Sequence, residues 1–425
     1  GGRGQELHGA RAVADDADAA AGQVDVVIPT RRVEHVAAEL GEALDLGGER
    51  TVELTETGDE HVGGERRAVG DGHVPLPRVL VEPGRRGFGP KSDPVAQVVA
   101  VGHVLEIRED LRLLRELARP VLLRGKRERV QVHAHVARDY TFCGIAARMA
   151  KPVRFFITRH HFHPIKSNPV YAWTIGEARA LIAVSDSVRE QLVDSFPNYA
   201  DRIAVVPNWI DAQGNGLLSR NAAREAFGLH RRWAIAIVGQ LTPLKRQELF
   251  ITAATKLIKD RHWTDADFLV IGQPGSKSED VEYANQRCQW VNVLGLEDHI
   301  RFTGFVNELP AKLSAFDIVV LPSQNEGFSL ALIEAMAAGC AVIASRVGGM
   351  AEIVEHEVTG LFLERNDDSA LIAALSRLLT DNQLRQKMGG LAQASVIERF
   401  DRERVIDRIE RLYQMNTEEK VEIVR

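Results

Sequence analysis

From about residue 130 onward the chain alternates short apolar runs with amphipathic stretches, and this alternation most limits what it can fold into. In the first half "VQVHA", "VRFFIT", "ALIAVS" and "RIAVVPN" read as strands. Helical stretches separate them at 139–150, at 169–179 and over "DSVREQLVDSF". The pattern then repeats in "WAIAIV", "DFLVI", "IRFTG", "DIVVLPS" and "AVIAS", with helices expected at 246–259, 279–291, 308–315 and 329–338. Strands alternating with helices build a parallel sheet of the α/β class. "PNWIDAQGNG" reads as a linker between two such units, and 365–415 is helical by its Leu and Ile spacing.

The 425 residues suffice for two domains of ordinary size. The part before residue 130 is of another kind. Ahead of Tyr140 there is no Tyr, Trp, Cys, Met or Asn, and Phe88 and Ser92 are the only residues of their types. Between Gly47 and Pro94 apolar residues are sparse, while Gly, Glu and Arg are dense. Such a stretch buries too little apolar area to offset its ordering entropy. Residues 1–107 are therefore expected to be atypical: a disordered arm, an unusual domain, or sequence from outside the natural reading frame. At most 24–45 should form a strand and a helix, from "QVDVVIPT" and "RVEHVAAELGEALDL". Ordered sequence is expected to begin at 108, with a helical stripe of Leu111, Leu113, Leu114 and Leu117. The expected division is 108–212 for the first domain, 213–400 for the second and 401–425 for a final helix that crosses back to the first.

A net charge of −6 argues against a general nucleic-acid binder. The three cysteines, Cys143, Cys288 and Cys340, are far apart and lack metal-ligand spacing, which suits a reducing, cytoplasmic setting. No apolar run approaches the roughly 20 residues that span a bilayer.

The stretch "LPSQNEGFSLALIEAMAAGCAVIASRVGGMAEIV" carries the chemistry. It sets Glu326 and Glu334 in an E-x7-E spacing after a buried strand. Gly327 permits close backbone approach. Ser329 suits the cap of the next helix, which starts at the carboxyl end of a strand, where α/β proteins bind ligands. The first N–H groups of that helix, near Phe328 to Leu330, suit a diphosphate. Glu334, about one and a half turns in, suits a ribose diol.

From about Val132 to Tyr413 the chain resembles the retaining glycosyltransferases of the GT-B fold, family 4. "VGQLTPLKRQELFI", "FTGFVNELPAKLSAFDIVVLPSQNEGFSLALIEAMAAGCAVIAS", "VGGMAEIV" and "TGLF" occur in that family's order and spacing. The resemblance implies two Rossmann-like domains facing a cleft, the first of them incomplete or atypical here. It implies donor contacts from Gln240, Lys245, Glu326, Gly327, Phe328, Ser329, Leu330 and Glu334, with Glu334 on the ribose and Glu326 facing the donor sugar. Lys245 matches the family's lysine, but Gln240 stands where Arg is usual and brings no charge. Arg246, where Gly is common, is the candidate to compensate. His160, in "ITRH", looks like the cleft histidine that contacts the donor sugar, so His160, Lys245 and Glu326 form the implied catalytic set. His133 and His135 resemble the strand-end pair lining the cleft, and Arg138, with Asp139, suits a polar acceptor. Trp209 stands where the family usually has Gly.

Five histidines, His133, His135, His160, His161 and His163, fall close together in sequence. No Cys or carboxylate joins them at ligand spacing, and the resemblance implies neither metal nor cofactor. The expected activity is transfer of a sugar from a nucleoside diphosphate sugar to an acceptor hydroxyl, with retention of configuration. A non-catalytic nucleotide-sugar-binding remnant and a GT-B epimerase remain alternatives. A glycan or glycolipid acceptor, and peripheral contact at the inner membrane face, follow from family habit alone.

Overall fold

The computed structural model describes residues 95–100, 129–149, 154–162, 165, 168–211, 216–363 and 368–415. Two parallel sheets organise them. The first contains β1 (Val95–Ala100), β2 (Arg129–Ala134), β3 (Arg154–Arg159), β4 (Ala180–Ala183) and β5 (Ile203–Val205), side by side in chain order. Helices α1 (Ala137–Met149), α2 (Pro169–Glu177) and α3 (Asp186–Ser195) connect β2 to β5. Helix starts follow capping chemistry. Asn168 accepts from the N–H of Tyr171, and Ser185 accepts from that of Val188.

Helix α4 (Arg220–Ala226) opens the second unit. Strands β6 (Trp233–Val238), β7 (Ala266–Ile271) and β8 (Ile300–Gly304) then alternate with α5 (Gln247–Arg261) and α6 (Ser278–Val293). The short α7 (Leu309–Lys312) leads to β9 (Ile318–Leu321), α8 (Leu330–Ala337), β10 (Ala341–Ser345), α9 (Met350–Ile353) and β11 (Leu361–Leu363). Every residue of β6, β7, β9 and β10 is buried, as expected of strands covered on both faces. The strand order is β11-β10-β9-β6-β7-β8. Winding runs one way from β6 to β8 and the other way from β9 to β11. The direction reverses between β6 and β9, and ligands bind beyond the carboxyl ends of strands at such a switch point.

The expected helical run 365–415 is three helices: α10 (Asp368–Thr380), α11 (Asn382–Phe400) and α12 (Arg402–Gln414). Asp381 and Asp401 divide them, each accepting from the N–H groups of the following turn. Helix α12 lies on the first sheet. Val405 and Leu412 pack with Ile182, Ala204 and Val206, and Trp209 of the linker packs against the same cluster. Tyr413 meets Phe156 edge-on at 4.8 Å, and its carbonyl accepts from Arg154 at 2.8 Å. The two chain crossings between the units pair with each other. Ile210 donates to the Phe400 carbonyl at 2.9 Å, and Arg402 donates back to Ile210 at 3.0 Å.

Strand β1 differs from the sequence expectation, because it lies within 1–107 but outside 24–45. "VAQVVA" pairs with β2 along its whole length, from Val95 opposite Arg129 to Ala100 opposite Ala134. Its β-branched residues suit a strand, but six residues give too weak a local signal to stand out. The strand and helix expected at 24–45, and the helix expected at 111–117, lie outside the described residues.

Candidate active site

Two loops leave the switch point side by side, one after β6 and one after β9. In the first, a turn of 3-10 helix over Pro243–Lys245 ends at Arg246, whose backbone is left-handed (φ 57°, ψ 46°). Glycine adopts that conformation without steric cost, whereas here an arginine holds it. The Arg246 side chain is nonetheless buried. The second loop is tied to the first by a hydrogen bond from the Gln324 N–H to the Leu244 carbonyl at 2.8 Å. Lys245 Nζ pairs with Glu326 Oε1, which also accepts from Ser323 Oγ at 3.0 Å. Thus Lys245 and Glu326, 81 residues apart, form one charged pair at the mouth of the switch point.

Gln240 sits in the first loop with its backbone braced from behind. Gln247 Nε2 donates to the Gln240 carbonyl at 2.9 Å, and Tyr283 donates to Gln247 Oε1 at 3.1 Å. Burial and the adjoining Glu248 carboxylate push the Tyr283 phenol well above its ordinary pKa, so it remains a donor.

Helix α8 begins as the sequence suggests. Ser329 Oγ accepts from the Leu332 N–H at 3.3 Å, and the Ser329 carbonyl accepts from Ile333. The first N–H groups of a helix have no partner within it, which leaves those of Leu330 and Ala331 for an anion. Phe328 and Leu330 are themselves buried, and Phe328 meets Phe400 edge-on at 5.3 Å. Their contribution toward a ligand is therefore backbone. Glu334, half-buried, follows on the same helix.

The pair Gly348 and Gly349 backs this loop. A Cβ on Gly348 (φ 44°) would lie 1.9 Å from the Glu326 carbonyl oxygen, and one on Gly349 would lie 2.2 Å from that of Gly327. The Gly349 N–H donates to the Glu326 carbonyl at 3.2 Å. Only residues without a side chain let the two turns approach so closely.

The first unit meets the same loop. A Cβ on Gly327 would lie 2.1 Å from the His160 carbonyl oxygen, so the loop after β3 touches the loop after β9 backbone to backbone. Asn325 Nδ2 donates to the Phe162 carbonyl at 3.4 Å. The His160 ring nitrogen Nε2 lies 3.1 Å from Nδ1 of His135, and the two rings are stacked. His133 is different. It is buried, with Nδ1 2.5 Å from the Tyr413 hydroxyl and Nε2 2.7 Å from Thr158 Oγ1. Both ring nitrogens are engaged, so His133 belongs to the joint with α12 and not to an acceptor surface. Arg138 lies in the first turn of α1, and its side chain lies outside the described residues, as does His163.

Burial lowers the pKa of all three imidazoles. His135 falls to about 4, and His133 and His160 fall well below the usual 6.5, each disfavoured further by the neighbouring histidines. A hydrogen bond with Asn208 opposes the shift at His160. Below pH 6.5 the unfolded chain takes up protons that the folded chain resists. The contribution is therefore complete above pH 6.5 and is lost as the pH falls toward 4. Denaturant unfolding between pH 7 and 4 should show this loss, and His135→Asn should flatten it; an unchanged slope would assign the effect to other groups.

The sequence did not single out Ser323, Asn325, Gln247 or Tyr283, whose hydrogen bonds brace the loops of the site. Asn325 and Tyr283 find their partners in distant segments, while Ser323 and Gln247 reach back within their own loops without a sequence spacing that announces it.

Comparison with known proteins agrees with this architecture. Residues 219–394 match the family described as "Glycosyl transferases group 1", and residues 33–213 match "Glycosyltransferase Family 4". The second match takes in part of the stretch that composition sets apart. A D-inositol 3-phosphate glycosyltransferase of Salinispora arenicola is 31% identical over 222 residues, 50% of this chain and 49% of that protein. The chain thus spans about half the length of this curated relative and of the similar Salinispora tropica protein. An Escherichia coli protein named UDP-Gal:alpha-D-GlcNAc-diphosphoundecaprenol alpha-1,3-galactosyltransferase is 28% identical over 342 residues, 76% of this chain and 86% of its own. Among solved structures, Anabaena Alr3699/HepE in complex with UDP-glucose superposes with a TM-score of 0.64 at 21% identity, covering 75% of this chain and 92% of the other. With two parallel α/β units meeting at a switch-point site, the chain belongs to the GT-B glycosyltransferases of the group 1 and family 4 type.

Proposed function

We propose that the chain transfers a sugar from a nucleoside diphosphate sugar to an acceptor hydroxyl, with retention of configuration. The observation that carries this reading is the Lys245–Glu326 pair at the switch point, beside the open N-terminus of α8. An ammonium and free helix N–H groups converging on one place suit a diphosphate that gains charge as it leaves. Catalysis then rests on positioning and on stabilising that charge, with the leaving phosphate accepting the acceptor proton on the same face of the sugar. Glu326 holds Lys245 in place and faces the donor sugar. Glu334 takes the ribose diol, and Gln240 contributes neutral hydrogen bonding. His160, backed by His135, presents the first unit to the donor. The reading calls for no metal or cofactor.

Two similar proteins carry UDP-Gal in their name or UDP-glucose in their complex, so a UDP-hexose is the first donor to try. A glycan or glycolipid acceptor, reached from the cytoplasmic face of a membrane, fits the same reading. Among the described residues no helix is long and apolar enough to cross a membrane.

A thermal-shift panel of UDP-, GDP- and ADP-sugars tests the donor, since a ligand at 100 times its Kd stabilises by about 2.7 kcal/mol. Stabilisation should be followed by release of UDP, through transfer or slow hydrolysis. Binding with no turnover under any acceptor condition would instead mark a nucleotide-sugar-binding remnant. Glu334→Ala should raise the Kd for UDP about tenfold, as expected for loss of hydrogen bonds to a carboxylate. Its half-buried place leaves the core intact. Calorimetric titration would retire the ribose assignment if affinity were unchanged.

A further inference from the structure

Glu352 lies in the short helix α9 of the second unit, yet its carboxylate is used by the first. Oε2 accepts from the Asp186 N–H at 2.8 Å. Oε1 accepts from the Ser187 N–H at 2.9 Å and from Ser187 Oγ at 2.8 Å. These groups form the first turn of α3, whose N-cap, Ser185, is already engaged with Val188. A carboxylate from one unit thus completes the cap of a helix in the other, where the helix dipole favours negative charge.

The joint lies beside the site. Three residues before Glu352, a Cβ on Gly349 would lie 3.1 Å from Ser185 Cβ as well as 2.2 Å from the Gly327 carbonyl. Gly327 in turn touches His160. The far end of α9 is also held, because Arg399 donates to the Glu352 carbonyl at 2.6 Å and to that of Ile353 at 3.1 Å. Arg399 precedes Phe400, whose carbonyl joins the paired chain crossings at Ile210. One continuous set of contacts therefore runs from the crossing point, through Arg399 and Glu352, to the face that His160 presents.

We infer that Glu352 is a positioning residue for the transfer step: it latches α3 of the first unit so that the His160 loop is seated on the phosphate loop. The inference rests on the proposed sugar transfer for its functional consequence, but the latch itself can be read without it. The contact is partly open to solvent, so it suits a closure that must be reversible. A carboxylate at a helix N-terminus shifts such an equilibrium by about tenfold or less, enough to bias closure without freezing it.

The test uses the full chain with Glu352→Ala, Glu352→Gln and Ser187→Ala, with UDP and UDP-glucose as probes. Three quantities are read: the Kd for UDP, kcat and KM for UDP release from UDP-glucose, and the small-angle scattering profile with and without UDP. Glu352→Ala should lower kcat by about tenfold and enlarge the radius of gyration, with UDP affinity nearly unchanged. Glu352→Gln, with its length but no charge, should fall between, and Ser187→Ala, which keeps both N–H donors, should show the smallest effect in the same order. A fall in melting temperature and UDP affinity together, with an unaltered scattering profile, would mean a purely structural role and overturn the inference. If the wild-type chain released no UDP, the proposed function would fail while the scattering comparison still decided the latch: expansion in Glu352→Ala supports it, and identical profiles overturn it.

Discussion

Lys245→Ala should lower kcat/KM for the UDP-sugar by about 10²–10³-fold, the usual cost of removing one donor aimed at developing charge. The melting temperature should move little. The Lys245 side chain is 28% exposed, and a partly exposed ion pair such as that with Glu326 contributes about 1 kcal/mol or less to stability. The catalytic role is larger because charge accumulates on the diphosphate only as the glycosidic bond breaks, so the loss belongs mainly in kcat. The loop offers little substitute. Gln240 is neutral, and its backbone is fixed by Gln247. Arg246 brings a cation, but from a buried position at the left-handed start of α5. Steady-state kinetics on Lys245→Ala, with Gln240→Arg added in the same background, measures both points. A fall of less than about tenfold would move the main charge stabilisation away from Lys245. Recovery on adding Gln240→Arg would show that a cation from either place on this loop serves the phosphate.

The second unit was legible because its signals are local. Runs such as "WAIAIV" and "DIVVLPS" are buried on both faces and read as strands without knowledge of their neighbours. Ser329 announced its cap, and the E-x7-E spacing placed Glu326 and Glu334 on opposite sides of a helix start. Contacts between distant segments were not legible. His133 and His135 share the two-residue period of a strand, and their rings do lie 4.2 Å apart. Yet His133 is covered by Tyr413, 280 residues later, while His135 lies beyond the strand end and reaches His160. Periodicity assigns a face but cannot say what covers it. Glu352 lies within "VGGMAEIV", but its role depends on Asp186 and Ser187 in the other unit. Strand β1 was hidden for a related reason: its hydrogen-bonded neighbour among the described residues, β2, supplies the register that six residues alone do not specify.

Gly327→Ala should abolish transfer more completely than it weakens donor binding. The added Cβ would lie 2.1 Å from the His160 carbonyl oxygen and 3.3 Å from the Phe162 nitrogen. All these neighbours are backbone, so no side chain can swing aside. Retreat in the other direction is closed as well, because Gly349 already sits against the Gly327 carbonyl. The strain must therefore separate the His160 loop from the phosphate loop. A displacement of about 1 Å at a reacting centre costs on the order of 10²-fold in rate. UDP itself contacts mostly the second unit in the proposed arrangement, so its Kd should rise by much less. Gly390→Ala supplies the control. Gly390 lies within α11 with no atom near its added Cβ, and replacing a helical glycine stabilises by about 0.5–1 kcal/mol. The pair of variants, compared by UDP titration and by UDP release from UDP-glucose, separates a clash at the domain contact from a general intolerance of glycine substitution. Wild-type turnover in Gly327→Ala would mean that the two loops do not meet during transfer, and the seat proposed for His160 would have to be abandoned.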